Sequence, residues 1–403
     1  MTPAPAGILV VTVDRLPAWI LPAYGATWVA MPTLDAMAGR GLVFDRLIAN
    51  GDDPRRAAAD LLGDAGQGLL AAAMAAGWPM TLVTDDESLV PADLAARATV
   101  RHVAARSKMD VEDDEEGTNL ARLFAVAEGV VKAGGQRLVW CHAGSLGVAW
   151  DAPGEFRDAY IDPDDPPPPA GAGVPAVDLG ADTDPDLVVG LRQVFAGQLT
   201  LLDHCLGRLL DALPADGDEA WTVLVAGLRG LPLGLHGRVG LGPIAPFGEL
   251  VHVPAIIADA CGRMAAQRYG GLTLHADLGA TLVELVTGAT CAVDPLRTWL
   301  GRSLVGLLES WTVVERDRVI VAGSAGCAVV TPGWQFVRAA PSAAGPSSGR
   351  LFAKPDDYFE VCDVANRCPA VADELASISA AVAAGDVERA WAEPLSAAAR
   401  GAT

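Results

Sequence analysis

No two of the seven cysteines stand at C-x-x-C spacing: Cys141, Cys205, Cys261, Cys291, Cys327, Cys362 and Cys368 are odd in number and far apart. Neither a zinc knuckle nor a redox dithiol is signalled. Reduced, mostly buried thiols are expected, which fits the cytosol. Apolar runs of membrane-spanning length free of Gly, Pro or charge are also missing, and the Ala-rich stretch 69–78 is too short to cross a bilayer. Residues 1–7 carry no basic n-region, and a strand-like run begins at residue 8, so no signal peptide is read and a cytoplasmic protein is expected. No internal repeat is visible. Basic residues are the scarcer charge, 29 Lys and Arg against 50 Asp and Glu, giving a formal charge of -21. Such a surface repels nucleic acid and anionic membranes at long range, so neither is expected as a partner. It repels anionic small molecules too, unless basic residues gather in a cleft.

The 403 residues are 51% apolar and 20% charged, enough for a large buried core in one large α/β domain or two ordinary ones. Residues 8–13 (ILVVTV) form a continuous β-branched run, as in a parallel strand buried on both faces. Further strands are read at 80–84, 100–103, 137–141, 221–226 and 254–257. Between them, helical patterns run over 32–41, 55–62, 68–76, 117–133, 186–213 and 273–285. Strands alternating with helices up to about residue 290 imply a largely parallel sheet. The stretch 161–184, which opens IDPDDPPPPAGAGVP, reads as a surface loop. Past residue 300 the texture changes. Short strands at 319–321, 328–331, 334–338 and 350–353, split by Gly, Pro and Ser, suggest a small antiparallel sheet, closed by a helix over 370–384. The expected fold is therefore α/β: a large, mostly parallel central sheet flanked by helices over 1–300, and a small C-terminal α+β subdomain over 301–403 packed on it.

The order of segments resembles the sulfatase family of the alkaline-phosphatase-like superfamily. VVTVD (10–14) is similar to that family's first strand, which ends in a metal-holding acid. MPTLDAMAGRGLVFDRLIAN (31–50) resembles the segment that follows, and DDPRRAAADLL (52–62) lies where the C/S-x-P-x-R motif belongs. RLVWCHAGSLGVAWDAP (137–153), TVLVAGLRGLPLGLHG (222–237), the stretch 248–288 and FAKPDDYFEVCDVA (352–365) resemble later family segments, in order and at matching spacing.

The resemblance implies sulfate-ester hydrolysis by a formylglycine, made from the Cys or Ser that opens C/S-x-P-x-R. A calcium-like ion among carboxylates polarises the ester oxygens, and basic residues and His neutralise the ester and protonate the leaving oxygen. Here the nucleophile position is Asp52, which cannot become formylglycine, although carboxylates do act as nucleophiles in phosphoryl transfer. Asp14 keeps the first metal position, and its neighbour is Arg15. The Asp-His pair of the family's later metal strand falls on Leu228 and Arg229, and the histidine of its central Pro-His on Gly147. Asp14 alone is a weak metal site, so no cofactor is expected, with calcium or magnesium the ion if the site is active.

Pro54 and Arg56 keep the motif's shape, with Arg56 read as pairing locally with Asp52 or Asp53. His142 and His236 match family histidines, and Arg238 lies near the family's sulfate-approaching base. His102, His204, His252 and His275 match none and are read as satisfied structural groups. Candidate catalytic residues are thus Asp52, Arg56, His142 and His236. Arg15, Arg229 and Arg238, with Arg56, would face one pocket as an anion-binding set, since guanidinium forks suit sulfate and phosphate. The apolar stretch 239–247 is read as an ordinary buried loop, with a partner surface as the alternative. The expectation is a sulfatase-like protein with a degenerate, non-hydrolytic site that binds an oxyanion, such as a sulfated or phosphorylated small molecule, or a protein partner. The alternative is an active sulfuric or phosphoric ester hydrolase with altered metal and nucleophile machinery.

Overall fold

A computed structural model describes residues 5–63, 67–90, 98–107, 110–214, 221–259, 262–289, 301–309, 315–341 and 349–401. Its centre is an eight-stranded sheet in the order β8-β2-β7-β6-β1-β5-β3-β4. The strands are β1 (Gly7–Asp14), β2 (Leu42–Phe44), β3 (Met80–Thr84), β4 (Thr99–His102), β5 (Leu138–Ala143), β6 (Trp221–Arg229), β7 (Ala255–Asp259) and β8 (Gln267–Tyr269). β1 lies between β5 and β6, parallel to both, with Ile8 opposite Leu138 and Thr222. Only β7 runs antiparallel to its neighbours β6 and β2. The short strands β2 and β8 lie outside every strand read from sequence. Three residues give too little alternation to register as a period.

Successive side chains of a strand point to opposite faces, and β1 shows what this does. Leu9, Val11 and Val13 join one core with helices α1 (Pro32–Arg40), α4 (Asn119–Ala133) and α5 (Pro185–Asp211). Ile8 and Val10 join a second core with α2 (Pro54–Leu62), α3 (Leu69–Ala75) and α6 (His275–Thr287). The result is a three-layer sandwich with its sheet covered on both sides, as the unbroken apolar run requires. Leu304, Val305 and Leu307 also pack in the second core, so the chain's passage to the C-terminal sheet follows them. The stretch 161–184, read as a surface loop, carries a short ribbon, Ala176–Asp178 against Arg238–Gly240. In the 239–247 stretch, Val239 and Phe247 are buried and Gly242 and Pro243 exposed.

The C-terminal sheet is antiparallel in the order β9-β10-β11-β12: Val319–Gly323, Gly326–Val330, Trp334–Ala339 and Arg350–Ala353. Val319, Val321 and Ala328 face Phe247, Leu250 and Val251 of the main domain. Ile320, Val329 and Phe336 face the closing helix α7 (Pro369–Ala383) through Leu375 and Ile378. Among the described residues, no helix is long and apolar enough to cross a membrane. Cys141, Cys205, Cys327, Cys362 and Cys368 are free thiols, and Cys261 and Cys291 lie outside the described residues.

Asp277, in the first turn of α6, ties the approach to the C-terminal sheet onto the main domain. It accepts from Leu274 N at 2.8 Å, Arg302 N at 2.7 Å and Arg316 Nε at 3.1 Å. Both partners of the Asp277–Arg316 pair are almost fully buried. Removing one partner strands the other charge away from water, so Asp277→Ala is expected to cost about 3–5 kcal/mol in urea unfolding.

Three histidines are buried as neutral rings. His252 Nε2 donates to Asp45 O and His275 Nε2 to Gly227 O, both at 2.7 Å. Burial pushes the His252 pKa down to about 4 and lowers those of His275 and His142. An unfolded imidazole takes its proton near pH ~6.5, whereas the buried rings resist it. Their contribution is therefore present above about pH 6.5 and is lost as the pH falls toward about 4. Thermal melts across this range should show the midpoint falling with pH, and His252→Gln should lose less than the wild type on acidification.

Candidate functional site

β1, β5 and β6 end side by side, and parallel strands bring their final residues to one edge of the sheet. On β6 the pairing slips by one: Val13 faces Gly227, but Asp14 faces Arg229. The slip is a bulge that leaves Leu228 without a partner on β1. Leu228 is fully buried in the second core with Leu224 and Ala226, while Arg229 is brought opposite Asp14. Bulges of this kind re-aim a side chain at the end of a ladder.

The guanidinium of Arg229 takes Asp14 as a fork. Nε donates to Oδ1 at 2.9 Å and Nη2 to Oδ2 at 3.0 Å, while Nη1 donates to the backbone carbonyl of Asp52 at 2.7 Å. Two parallel charge-assisted bonds make this the strong form of an ion pair. Arg15 stands on the other side of Asp14, with Nε 3.8 Å from Oδ2, beyond hydrogen-bond reach. Burial lowers the Arg15 pKa, Asp14 opposes that shift, and Arg229 adds to it.

Arg15 has a left-handed backbone, φ 64°, unusual for a side chain of its size. Its side chain lies where a side chain at 147 would have to go, since a Cβ there would be 2.3 Å from Arg15 Nε. Glycine at 147 and arginine at 15 are thus one steric arrangement. The Asp52 carboxylate turns toward the β9–β10 hairpin, accepting from Ser324 N at 2.8 Å and Ser324 Oγ at 2.5 Å.

His142, at the end of β5, is fully buried. Trp140 Nε1 donates to Thr12 Oγ1 at 2.8 Å, and that hydroxyl lies 2.8 Å from His142 Nδ1. Nε2 of His142 has no hydrogen-bond partner. Desolvation lowers the His142 pKa, opposed chiefly by Asp85 and then Asp14. Asp85 was missed in the sequence. It follows β3 at the same edge of the sheet and accepts from Gly144 N at 2.6 Å and Ser145 N at 3.0 Å, and desolvation raises its pKa. The available signal was an acid directly after a buried strand, the same position Asp14 holds after β1.

Three other candidates stand elsewhere, so the single arginine pocket expected from the sequence is not formed. Arg56 is exposed on α2 and lines a groove with Asn50 and Asp60. Its neighbour Arg55 makes the local pair instead, reaching back to the N-cap Asp53 with Nε–Oδ1 at 3.0 Å. Arg238 is drawn into the 176–178 ribbon, pairing with Asp178 and donating through Nε to Leu241 O at 2.8 Å.

His236 lies in a buried cluster, with Nδ1 3.2 Å from Glu249 Oε1 and Nε2 3.4 Å from Glu360 Oε2. Its ring is stacked on Phe247 at 3.9 Å. Neither Arg56, Arg238 nor His236 contacts Asp14 or Arg229. The remaining histidines have partners: His102 with Glu87 at 2.8 Å, His204 with Glu115 at 2.7 Å, and His252 and His275 with carbonyls. Among the described residues, no three His, Cys, Asp or Glu side chains come together as a metal-holding group.

No protein-family model and no curated protein matches the sequence. Solved structures do match over nearly the whole chain. A phosphonate monoester hydrolase of Agrobacterium radiobacter superposes with a TM-score of 0.71 at 17% identity, covering 94% of this chain and 96% of that one. A protein solved in complex with its substrate D-glucosamine-2-N,6-O-disulfate gives 0.72 at 13% identity, covering 97% and 100%. A 2-O GAG sulfatase gives 0.68 at 14% identity, covering 98% and 96%. At such identities the likeness speaks for architecture, and the three-layer sheet with its small C-terminal sheet is the fold of the sulfatase and alkaline-phosphatase-like superfamily.

Proposed function

We propose that this chain is a non-hydrolytic protein on the sulfatase fold, whose Asp14–Arg15–Arg229 site binds an oxyanion. The observation that carries the reading is the Arg229 fork, which takes up both oxygens of Asp14. The donor set does not fit the divalent ion the fold family implies. Asp14 is already satisfied, Leu228 is buried hydrocarbon, and Asp52 faces Ser324. Hard cations need several oxygen ligands, and a guanidinium beside the one carboxylate adds repulsion. Hydrolysis through that ion is therefore not part of this reading, and Asp52 offers no precursor for an aldehyde nucleophile.

What remains is a cation with donors to spare. Arg15 makes no hydrogen bond among the described residues, and its guanidinium lies against the 145–147 turn. His142 Nε2 is likewise unpartnered and meets the same turn, 3.5 Å from where a Cβ of Gly144 would stand. A planar fork with free N–H groups suits a tetrahedral oxyanion such as a sulfate or phosphate monoester. Arg229, with three donors already committed, acts as the brace that keeps Asp14 from neutralising Arg15.

Calorimetric titration with sulfate, phosphate and sulfated sugars is expected to show binding that disappears in Arg15→Gln. Absence of heat at millimolar ligand would remove the oxyanion reading. In parallel, aryl sulfate and aryl phosphate should not turn over, with or without calcium or magnesium. Turnover abolished by Asp14→Ala would establish the opposite reading, an active ester hydrolase. Arg229→Ala, which leaves Asp14 without its fork, is expected to destabilise the fold by about 2–3 kcal/mol in denaturant titration.

A further inference from the structure

A second cavity, of about 540 Å3, lies where the ends of β2 and β8 meet the C-terminal sheet. Apolar and ring-bearing side chains make much of its wall, among them Ile48, Val330, Pro355, Tyr24 and Tyr358. His252 stands edge-on between two of these rings, 6.2 Å from Tyr24 and 5.5 Å from Tyr358. Such a wall suits the body of a small organic molecule, and the volume lies in the range of ligand pockets.

The charges along the wall are unequally matched. Arg268 is paired with Asp45, Nε to Oδ1 at 2.9 Å. Lys354 spends its three N–H groups on Glu360 Oε1 at 3.1 Å, Asp357 O at 2.9 Å and Tyr358 O at 3.0 Å. Arg46 differs: it donates to Pro332 O and Thr331 O, each at 2.8 Å, and has no carboxylate partner among the described residues. Two of its five N–H groups are thus used and three are left. Burial pushes its pKa down to about 10, and the pKa values of His252 and Lys354 are lowered chiefly by burial, with a smaller contribution from the Arg46 charge. Lining the same cavity, the Tyr358 hydroxyl is buried and has no hydrogen-bond partner. A part-buried cation without a carboxylate partner carries a desolvation cost, and Arg46 lines this cavity together with an unsatisfied hydroxyl and an apolar wall.

We propose that this cavity binds a small organic anion with a ring-bearing body, its anionic head on Arg46 and the Tyr358 hydroxyl and its ring against Tyr24 and Tyr358. Arg46 supplies the fork, and Lys354 contributes field rather than donors. The site shares no residue with the Asp14–Arg15–Arg229 cluster, so each stands or falls alone.

Titration of the full chain carrying Arg15→Gln, which removes the first oxyanion site, with benzoate, phenyl phosphate, inorganic sulfate and benzyl alcohol tests this. One or both aryl anions should bind, at least ten-fold more tightly than sulfate or benzyl alcohol. Whichever head is preferred, carboxylate or phosphate, then names the ligand chemistry. Added to that chain, Arg46→Met should weaken the binding at least ten-fold and Tyr358→Phe several-fold. Tyr358→Phe keeps the ring, so the test holds even if Arg46→Met fails to fold. No aryl-anion binding at low-millimolar concentration, benzyl alcohol or sulfate binding as tightly, or full affinity in Tyr358→Phe and Arg46→Met would overturn the proposal.

Discussion

The two hydrogen bonds from Arg229 to Asp14 organise this end of the molecule. They join the last residues of two adjacent strands, and the third bond, to the Asp52 carbonyl, carries the same guanidinium to the head of α2. Asp52 in turn reaches the turn between β9 and β10 through Ser324. A single side chain therefore links the central sheet, a helix start and, at one remove, the C-terminal sheet. The cation beside Asp14 is a side chain of the chain itself. It needs no cofactor and is always charged.

Around that brace the other changes fit as steric and electrostatic consequences. Arg15 can lie across the 145–147 turn because residue 147 has no side chain. Asp14 cannot neutralise both arginines through one pair of oxygens, and the geometry gives both oxygens to Arg229. Arg15 is left with a long contact and an unused fork. Asp85, holding the 144–145 backbone beside His142, keeps that turn in place from the opposite side.

Much of the architecture was legible in the sequence because its strands are long and buried. The run at 8–13 could only be an interior parallel strand, and the apolar spacing over 117–133 and 186–213 gave helices ending within two residues of those observed. β2 and β8 escaped because each is three residues long and is fixed by its neighbours in the sheet rather than by its own pattern. At the site, Asp14, Arg15 and Arg229 could be singled out through the family resemblance of the segments that hold them. The fork could not, since it depends on a one-residue slip in β6 that no spacing announces. Arg56 and Arg238 were grouped with them by alignment alone, and local carboxylates decided otherwise: Asp53 chose Arg55, and Asp178 holds Arg238. Asp85 lay outside every quoted segment and became visible only through the backbone it caps.

The slip in β6 also limits what residue 228 can do. An acid placed at 228 would point among Leu224 and Ala226 in the second core instead of toward Asp14. It would be a buried charge in hydrocarbon, and the strand would have to shed its extra residue before that side chain could turn outward. Bringing a second carboxylate beside Asp14 from this strand thus requires a backbone change and side-chain changes together, each unfavourable without the other.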